Sequence, residues 1–377
     1  MRFLTLVIKN LTRRRARSLL TLSGMAVAVA AVVALVGIAD GFRGSFRELY
    51  TAHGVDIVVV RSRAADRMAG SLDASLGTRI ADVSGVRSVE STLFDVVSFE
   101  DLGLYGIVVQ GLDPAGSMIR DHELLAGREL RSGDSRAVLL GRLLAEHLGK
   151  QVGDELEIYE EIPFEVVGIY ERFNVLENGA MIVPLAELQE LLGQPDQVTM
   201  FYAQVNDASD GELVESVVHG IEDTAAGLNA MDVEQYIDTD PKIQAASAMA
   251  WSTSAIALLI GAIGMLNTML VSVFERTGEI GVLRAIGWRR GRVVRMVLVE
   301  SCLLCIVGAL IGTIMAFALT QLLSRLPTSS VIVSGQIAPL VIVQGAGIAL
   351  SIGLLGAAYP AFRAATLLPT EAIRHQG

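Results

Sequence analysis

The sequence predicts a four-span α-helical membrane protein with an extracytoplasmic α+β domain of two lobes inserted between the first and second spans. Three observations predict it. Of 377 residues, 52% are hydrophobic and only 19% charged, and the mean hydropathy is +0.50, a balance typical of a membrane protein with a sizeable soluble part. Four apolar runs, near residues 19–39, 248–273, 297–319 and 337–358, each reach the roughly 20 residues that a helix needs to cross about 30 Å of hydrocarbon. Between the first two runs lie alternating strand-like phrases separated by glycine turns.

Basic residues set the orientation, because Lys and Arg are retained on the cytoplasmic side of short loops. Arg2, Lys9, Arg13, Arg14, Arg15 and Arg17 precede the first span. Arg276, Arg284, Arg289, Arg290, Arg292 and Arg295 stand between the second and third. This places both termini in the cytoplasm and residues 41–247 on the far side of the membrane. That outer segment holds 36 acidic and 15 basic residues, a net charge of −21 against −11 for the whole chain. Its negative surface favours solubility and disfavours nucleic acid.

Residues 1–17 read as an interfacial helix, with Phe3, Leu6, Val7 and Leu11 on one face and basic residues following. A cleaved signal peptide competes for the same residues, but the apolar run of about 21 residues exceeds the usual 7–15. Residues 18–50 form the first span and, through Phe42, Phe46, Leu49 and Tyr50, a stalk above the bilayer.

The outer domain covers 51–238, with its second lobe at about 115–195. His53-Gly54 ends the stalk, 55–61 is the first strand, 63–77 a polar loop and 76–83 a helix. Strands follow near 86–99 and 104–111. The second lobe alternates Leu156/Ile158 and Phe164/Val166, the mark of antiparallel strands with one wet face, and its acidic run 154–161 reads as a solvated hairpin edge. The chain returns through 197–205, a helix at 211–225 and a strand near 231–236. Asp240-Pro241 then pairs an N-cap with a first-position proline, opening the stalk and second span, 239–274. A cytoplasmic segment (275–295), third span (296–321), short outer loop (322–336), fourth span (337–361) and cytoplasmic tail (362–377) complete the order.

Little in the chain resembles catalytic chemistry. Gly149-Lys150 lacks the preceding glycine and following hydroxyl of a phosphate loop. His53, His122, His147, His219 and His375 are scattered without metal spacing and read as surface histidines. Cys302 and Cys305 have C-x-x-C spacing, but inside a span they read as small apolar residues rather than a redox pair. We therefore expect no catalytic, cofactor-binding or metal-binding residue. Gly308 and Gly312, with Gly353 and Ala357, have small-x-x-x-small spacing that suits close helix contact. Asn267, Glu300 and Gln344 are the polar residues within spans, Asn267 as an interhelical hydrogen-bond group and Glu300 near the inner end of its span, where it can reach the interface or an Arg.

The most polar stretch of the C-terminal third is FERTGEIGVLRAIGWRRGRVVR at 274–295. Ile280, Leu283 and Ile286 read as one apolar face of an amphipathic surface helix. Spacing alone favours a basic loop that only sets topology. The run ERTGEIGVLRAIG, however, resembles the cytoplasmic coupling segment of the MacB/FtsX-like family of ABC transporter permeases, the type that includes macrolide-export and lipoprotein-release subunits. The outer phrases LLAGREL, FEVVGIYER and NGAMIVPLAELQELLG and the closing YPAFRAATLLPTEAIR extend the resemblance over essentially the whole chain.

That resemblance implies a non-catalytic permease subunit working with a separate cytoplasmic ATPase that holds the ATP and magnesium. It further implies a second permease, identical or similar, membrane lipids around the spans, and an extracytoplasmic adaptor or substrate. ATPase closure would move the helix at 278–286, and the stalks would carry the motion outward, a mechanotransmission scheme in which the spans form no channel. Glu275, Arg276, Gly278, Glu279, Gly281, Arg284 and Gly287 are the residues it implies for ATPase coupling. Glu279 and Arg284 would make the polar contacts. The alternative is a scaffold that activates an outer partner such as a cell-wall hydrolase.

Overall fold

A computed structural model describes residues 15–62, 70–119, 123–159, 162–172, 175–326 and 337–366. Residues 1–14, most of the 322–336 loop, the tail beyond 366 and the first part of the 63–77 loop lie outside this description. The chain divides into a helical unit (15–41, 245–322 and 337–366) and a mixed unit (42–244 with 323–326).

The helical unit is built on α1 (Arg15–Ala52), which also reaches the mixed unit, as does the second long helix (Pro241–Glu275). A short helix (Thr277–Ala285) and two more long ones (Arg290–Leu323 and Pro339–Thr366) follow. All four long helices are long and apolar enough to cross a membrane. Inside the bundle, Met25, Val29 and Val33 of α1 meet Met265, Met269, Leu304, Cys305, Ala349 and Ala357. Helices in lipid have no hydrophobic drive toward one another, so contact rests on dispersion and close backbone approach through small residues.

The small-residue positions sit at such approaches within the chain. A Cβ on Gly308 would lie 2.9 Å from Met25 Cγ, and one on Gly312 2.6 Å from the Ala26 carbonyl oxygen. A Cβ on Gly353 would overlap Cys305 Sγ at 1.9 Å, and Ala357 is fully buried. Cys305 therefore fills a notch beside Gly353, while Cys302 is half-buried; both are free thiols. The last helix runs through a buried Pro360 to Thr366, so the YPA phrase lies inside it.

In the mixed unit, strands β1 (Ile57–Arg61), β2 (Leu72–Asp73), β3 (Val86–Phe99), β4 (Leu104–Leu112), β5 (Glu123–Gly127), β6 (Ala137–Gly141), β7 (Glu155–Tyr159), β8 (Ile162–Glu171), β9 (Met181–Pro184), β10 (Gln197–Val198), β11 (Met200–Val205) and β12 (Leu228–Asp232) alternate with short helices. The principal sheet runs β12-β1-β11-β3-β4-β9-β6-β8-β5, with β7 also on β8. Its two lobes share one strand. The first half of the 14-residue β3 pairs with β11 and the second half with β4. Thr92, fully buried at the changeover, donates to the Gly111 carbonyl, and Thr199 Oγ1 accepts from the Phe94 amide at 3.0 Å.

From Leu93 on, β3 pairs with β4, and β4 pairs in parallel with β9. Residues 231–236 are not a strand: β12 ends at Asp232, whose carboxylate caps the helix Val233–Asp238 by accepting from the Gln235 amide at 2.9 Å. Part of the 63–77 loop is ordered as β2, paired with β10. Of the 154–161 edge, Glu155–Tyr159 form β7, antiparallel to β8, and Asp240 caps the helix from Pro241, accepting from the Lys242 and Ile243 amides.

His53 departs from the surface reading, being only 5% exposed. Its Nε2 lies 2.8 Å from Glu177 Oε1, and Arg172 Nη1 donates to the same oxygen. Arg172 also donates through Nη2 to the Met118 carbonyl at 2.5 Å. Charges this deep are tolerated only when paired and hydrogen-bonded. Burial raises the Glu177 carboxyl, but the His53 hydrogen bond and the Arg172 charge outweigh it and hold the group below its ordinary value.

Candidate coupling site

The mixed unit's helices are numbered α2 (Leu76–Ala81), α3 (Arg142–Leu148), α4 (Val175–Asn178), α5 (Leu185–Leu191), α6 (Gly211–Thr224) and α7 (Val233–Asp238). Those that follow are α8 (Pro241–Glu275), α9 (Thr277–Ala285), α10 (Arg290–Leu323) and α11 (Pro339–Thr366). The predicted coupling segment is thus split. Only α9 is a separate surface helix, and residues 290–295 already form the first turns of α10.

Two devices make α9 short and firmly held. At its start, Arg276 leaves helical geometry (φ −105°, ψ 11°) and its guanidinium donates to Glu300 Oε2 of α10 at 2.9 Å, both side chains 8% exposed. At its end, Gly287 adopts φ +102°, which a residue with a Cβ rarely adopts. The Gly287 amide donates to the Arg284 carbonyl and the Trp288 amide to Leu283, both at 3.1 Å, the paired bonds of a Schellman stop. Arg284 donates to the Trp288 carbonyl at 3.2 Å, and Arg292 stacks over the Trp288 ring at 5.3 Å.

One face of α9 belongs to the bundle. Ile280 joins Val273, Val293, Val297, Ala361, Ala364 and Ala365 in a small buried cluster, and Gly278 and Gly281 are buried beside it. The opposite face carries Glu279, Val282 and Ile286, all exposed, with Ile286 at 73%. Ile280 and Ile286 therefore do not share a face. Each three-residue step falls about 60° short of a full turn, so two steps move Ile286 about 120° round the helix.

Several predicted coupling residues thus change place. Arg276, Gly278 and Gly281 turn into the bundle, where an ion pair and close packing claim them, and Arg284 is half-buried, capping its own helix. Glu275, Glu279 and Gly287 are exposed. Val282 and Ile286 complete the outward stripe, three and seven residues after Glu279, a spacing legible in the sequence once the helix phase was known. Glu300 meets its Arg as anticipated. Asn267 and Gln344 are exposed on the outside of the bundle.

Residues 18–221 match the family model described as a MacB-like periplasmic core domain, and residues 251–369 match the FtsX-like permease C-terminal model. The macrolide export ATP-binding/permease protein MacB of Bdellovibrio bacteriovorus is 26% identical over 98% of this chain and 61% of its own length. The uncharacterized ABC transporter permease YknZ of Bacillus subtilis is 24% identical over 98% of both chains. The present chain thus spans about three-fifths of that MacB and nearly all of YknZ. The crystallised periplasmic region of MacB from Actinobacillus actinomycetemcomitans aligns with 49% of this chain and 94% of its own, at 13% identity and a TM-score of 0.38. With both family models matched in chain order, the chain belongs to the MacB-like, FtsX-like family of ABC transporter permeases.

Proposed function

We propose that this chain is the mechanotransmitting permease subunit of an ATP-driven exporter, with both termini in the cytoplasm and α9 as the element that a separate ATPase grips. The observation that carries this reading is the asymmetry of α9. One face is locked to α10 by the buried Arg276–Glu300 pair, and the other presents Glu279, Val282 and Ile286 to a partner. A helix held in this way transmits a push instead of absorbing it. The apolar centre of the stripe supplies affinity and the carboxylate supplies orientation.

A second copy of the chain fits the outward face of α8. Ile256, Ile260, Ile263, Asn267, Val271 and Phe274 recur there at steps of three and four and are exposed, the spacing of a helix–helix seam. An amide facing hydrocarbon is costly, and a hydrogen bond to its counterpart across the seam removes much of that cost.

The test is affinity purification from native membranes of the wild type, Glu279→Lys and Ile286→Asp. The variants are expected to insert and fold as the wild type does but to lose an ATPase that the wild type retains. Undiminished ATPase recovery with both variants would reject this face of α9 as the contact.

A further inference from the structure

Beside α9, the neighbouring ends of α10 and α11 enclose a cleft of about 620 Å³. Arg290 and Arg295 line it at the start of α10, and Val294, Leu298, Val299 and Cys302 continue it along the same helix. On α11 its wall runs from Thr366 and Phe362 back to Leu354. Arg290 to Cys302 spans twelve residues, and so does Leu354 to Thr366. At 1.5 Å per residue each wall is about 18 Å long. The cleft is therefore graded, with guanidinium groups where the helices leave the bilayer and hydrocarbon, broken only by a thiol, toward its middle.

Among the described residues the charge at the mouth is uncompensated: no carboxylate lines the cleft, both arginines are exposed, and neither has a carboxylate within ion-pair distance. The chain's own N-terminal segment is an unfavourable occupant, since Arg2, Lys9, Arg13, Arg14 and Arg15 would bring like charge to the mouth. A ligand that fits must carry an anion at one end and a hydrocarbon chain at the other. Basic pockets between spans at the membrane surface bind anionic headgroups on this principle.

We propose that this cleft is a binding site for one anionic phospholipid, its phosphate between Arg290 and Arg295 and an acyl chain along Val294, Leu298 and Cys302. A lipid seated there joins α10 to α11 on the side of α10 turned away from Glu300. The site does not depend on which ATPase, or whether any ATPase, engages α9.

The full chain, purified in detergent and titrated with phosphatidylglycerol or phosphatidylcholine, is read by native mass spectrometry. At about 1 kcal/mol for each basic residue, two arginines predict roughly a 30-fold preference for phosphatidylglycerol. Arg290→Gln with Arg295→Gln, both at exposed positions, should reduce that preference to near unity while leaving thermal unfolding unchanged. Leu298→Trp, which fills the trough and leaves the charges in place, should weaken retention of both lipids. Equal retention of the two lipids by the wild type, or unaltered preference in the double arginine variant, overturns the proposal. So does displacement of the lipid by inorganic phosphate alone, which would show a headgroup site without the acyl trough. Dimerisation that closes the cleft to added lipid would assign it to a second copy instead, and would equally overturn it.

Discussion

Replacing either Arg276 or Glu300 alone should loosen α9, whereas replacing both with apolar residues should restore it. The two charges are 2.9 Å apart and each side chain is 8% exposed, so neither water nor salt screens them as they would a surface pair worth under about 1 kcal/mol. At an effective dielectric of about 20, opposite charges even 4 Å apart attract by roughly 4 kcal/mol. Removing one partner forfeits that attraction and leaves a buried charge, for a combined cost of about 3–5 kcal/mol. Arg276→Met with Glu300→Leu removes both charges at similar volume, and such replacements run from neutral to stabilising. The assay is hydrogen exchange at the amides of Thr277–Ala285 in purified full-length chain. Each single variant should exchange there at least about a hundredfold faster, and the double variant within about tenfold of wild type. Additive effects of the two substitutions would refute the reasoning, as would single variants with unchanged exchange. If the double variant also retains the ATPase, Arg276 acts by positioning α9 and not by touching the partner.

Gly353→Ala should destabilise the bundle by about 1–3 kcal/mol through overpacking, since its Cβ would overlap Cys305 Sγ; Cys305→Ala should recover most of the loss in thermal unfolding, and failure to do so would place the clash elsewhere. Gly312→Leu, driven into the Ala26 backbone, should prevent stable assembly of α10 on α1, read as increased protease sensitivity in membranes. Glu177 has a folded value below its ordinary 4.5, so its stabilisation is complete above about 4.5 and is lost as pH falls through the lower folded value. Glu177→Gln should therefore speed hydrogen exchange in β8 at pH 7 and flatten its acid dependence. An acid response identical to wild type would assign that response to other groups.

The fold was largely legible from residue order. Apolar runs longer than 20 residues have few alternatives to spanning helices, because a bilayer leaves unpaired backbone groups no partner. The Asp240-Pro241 start and the Gly287 stop are local chemistry, set by a side-chain cap and by a φ that glycine alone adopts easily. What the sequence could not show was pairing across long separations. Residues 231–236 look strand-like in isolation, yet Asp232 turns them into a helix once β12 has paired with β1. The sharing of β3 between two partners depends on β11, which reaches its first half from more than a hundred residues away while neighbouring β4 takes the second.

The site divides in the same way. The phrase 277–286 marked a short helix and, by resemblance, its family. Which of those residues face outward was decided by tertiary structure. Glu300, 24 positions away, claims Arg276, and the bundle claims Gly278, Ile280 and Gly281, leaving Glu279, Val282 and Ile286. His53 follows the same rule: its burial is set by Arg172 and Glu177, more than a hundred positions downstream. Sequence by itself determined the spans, the caps and the family, because each rests on local pattern. Only the folded chain decided which charges are paired and which are left for a partner, because that depends on what distant segments bring within hydrogen-bond reach.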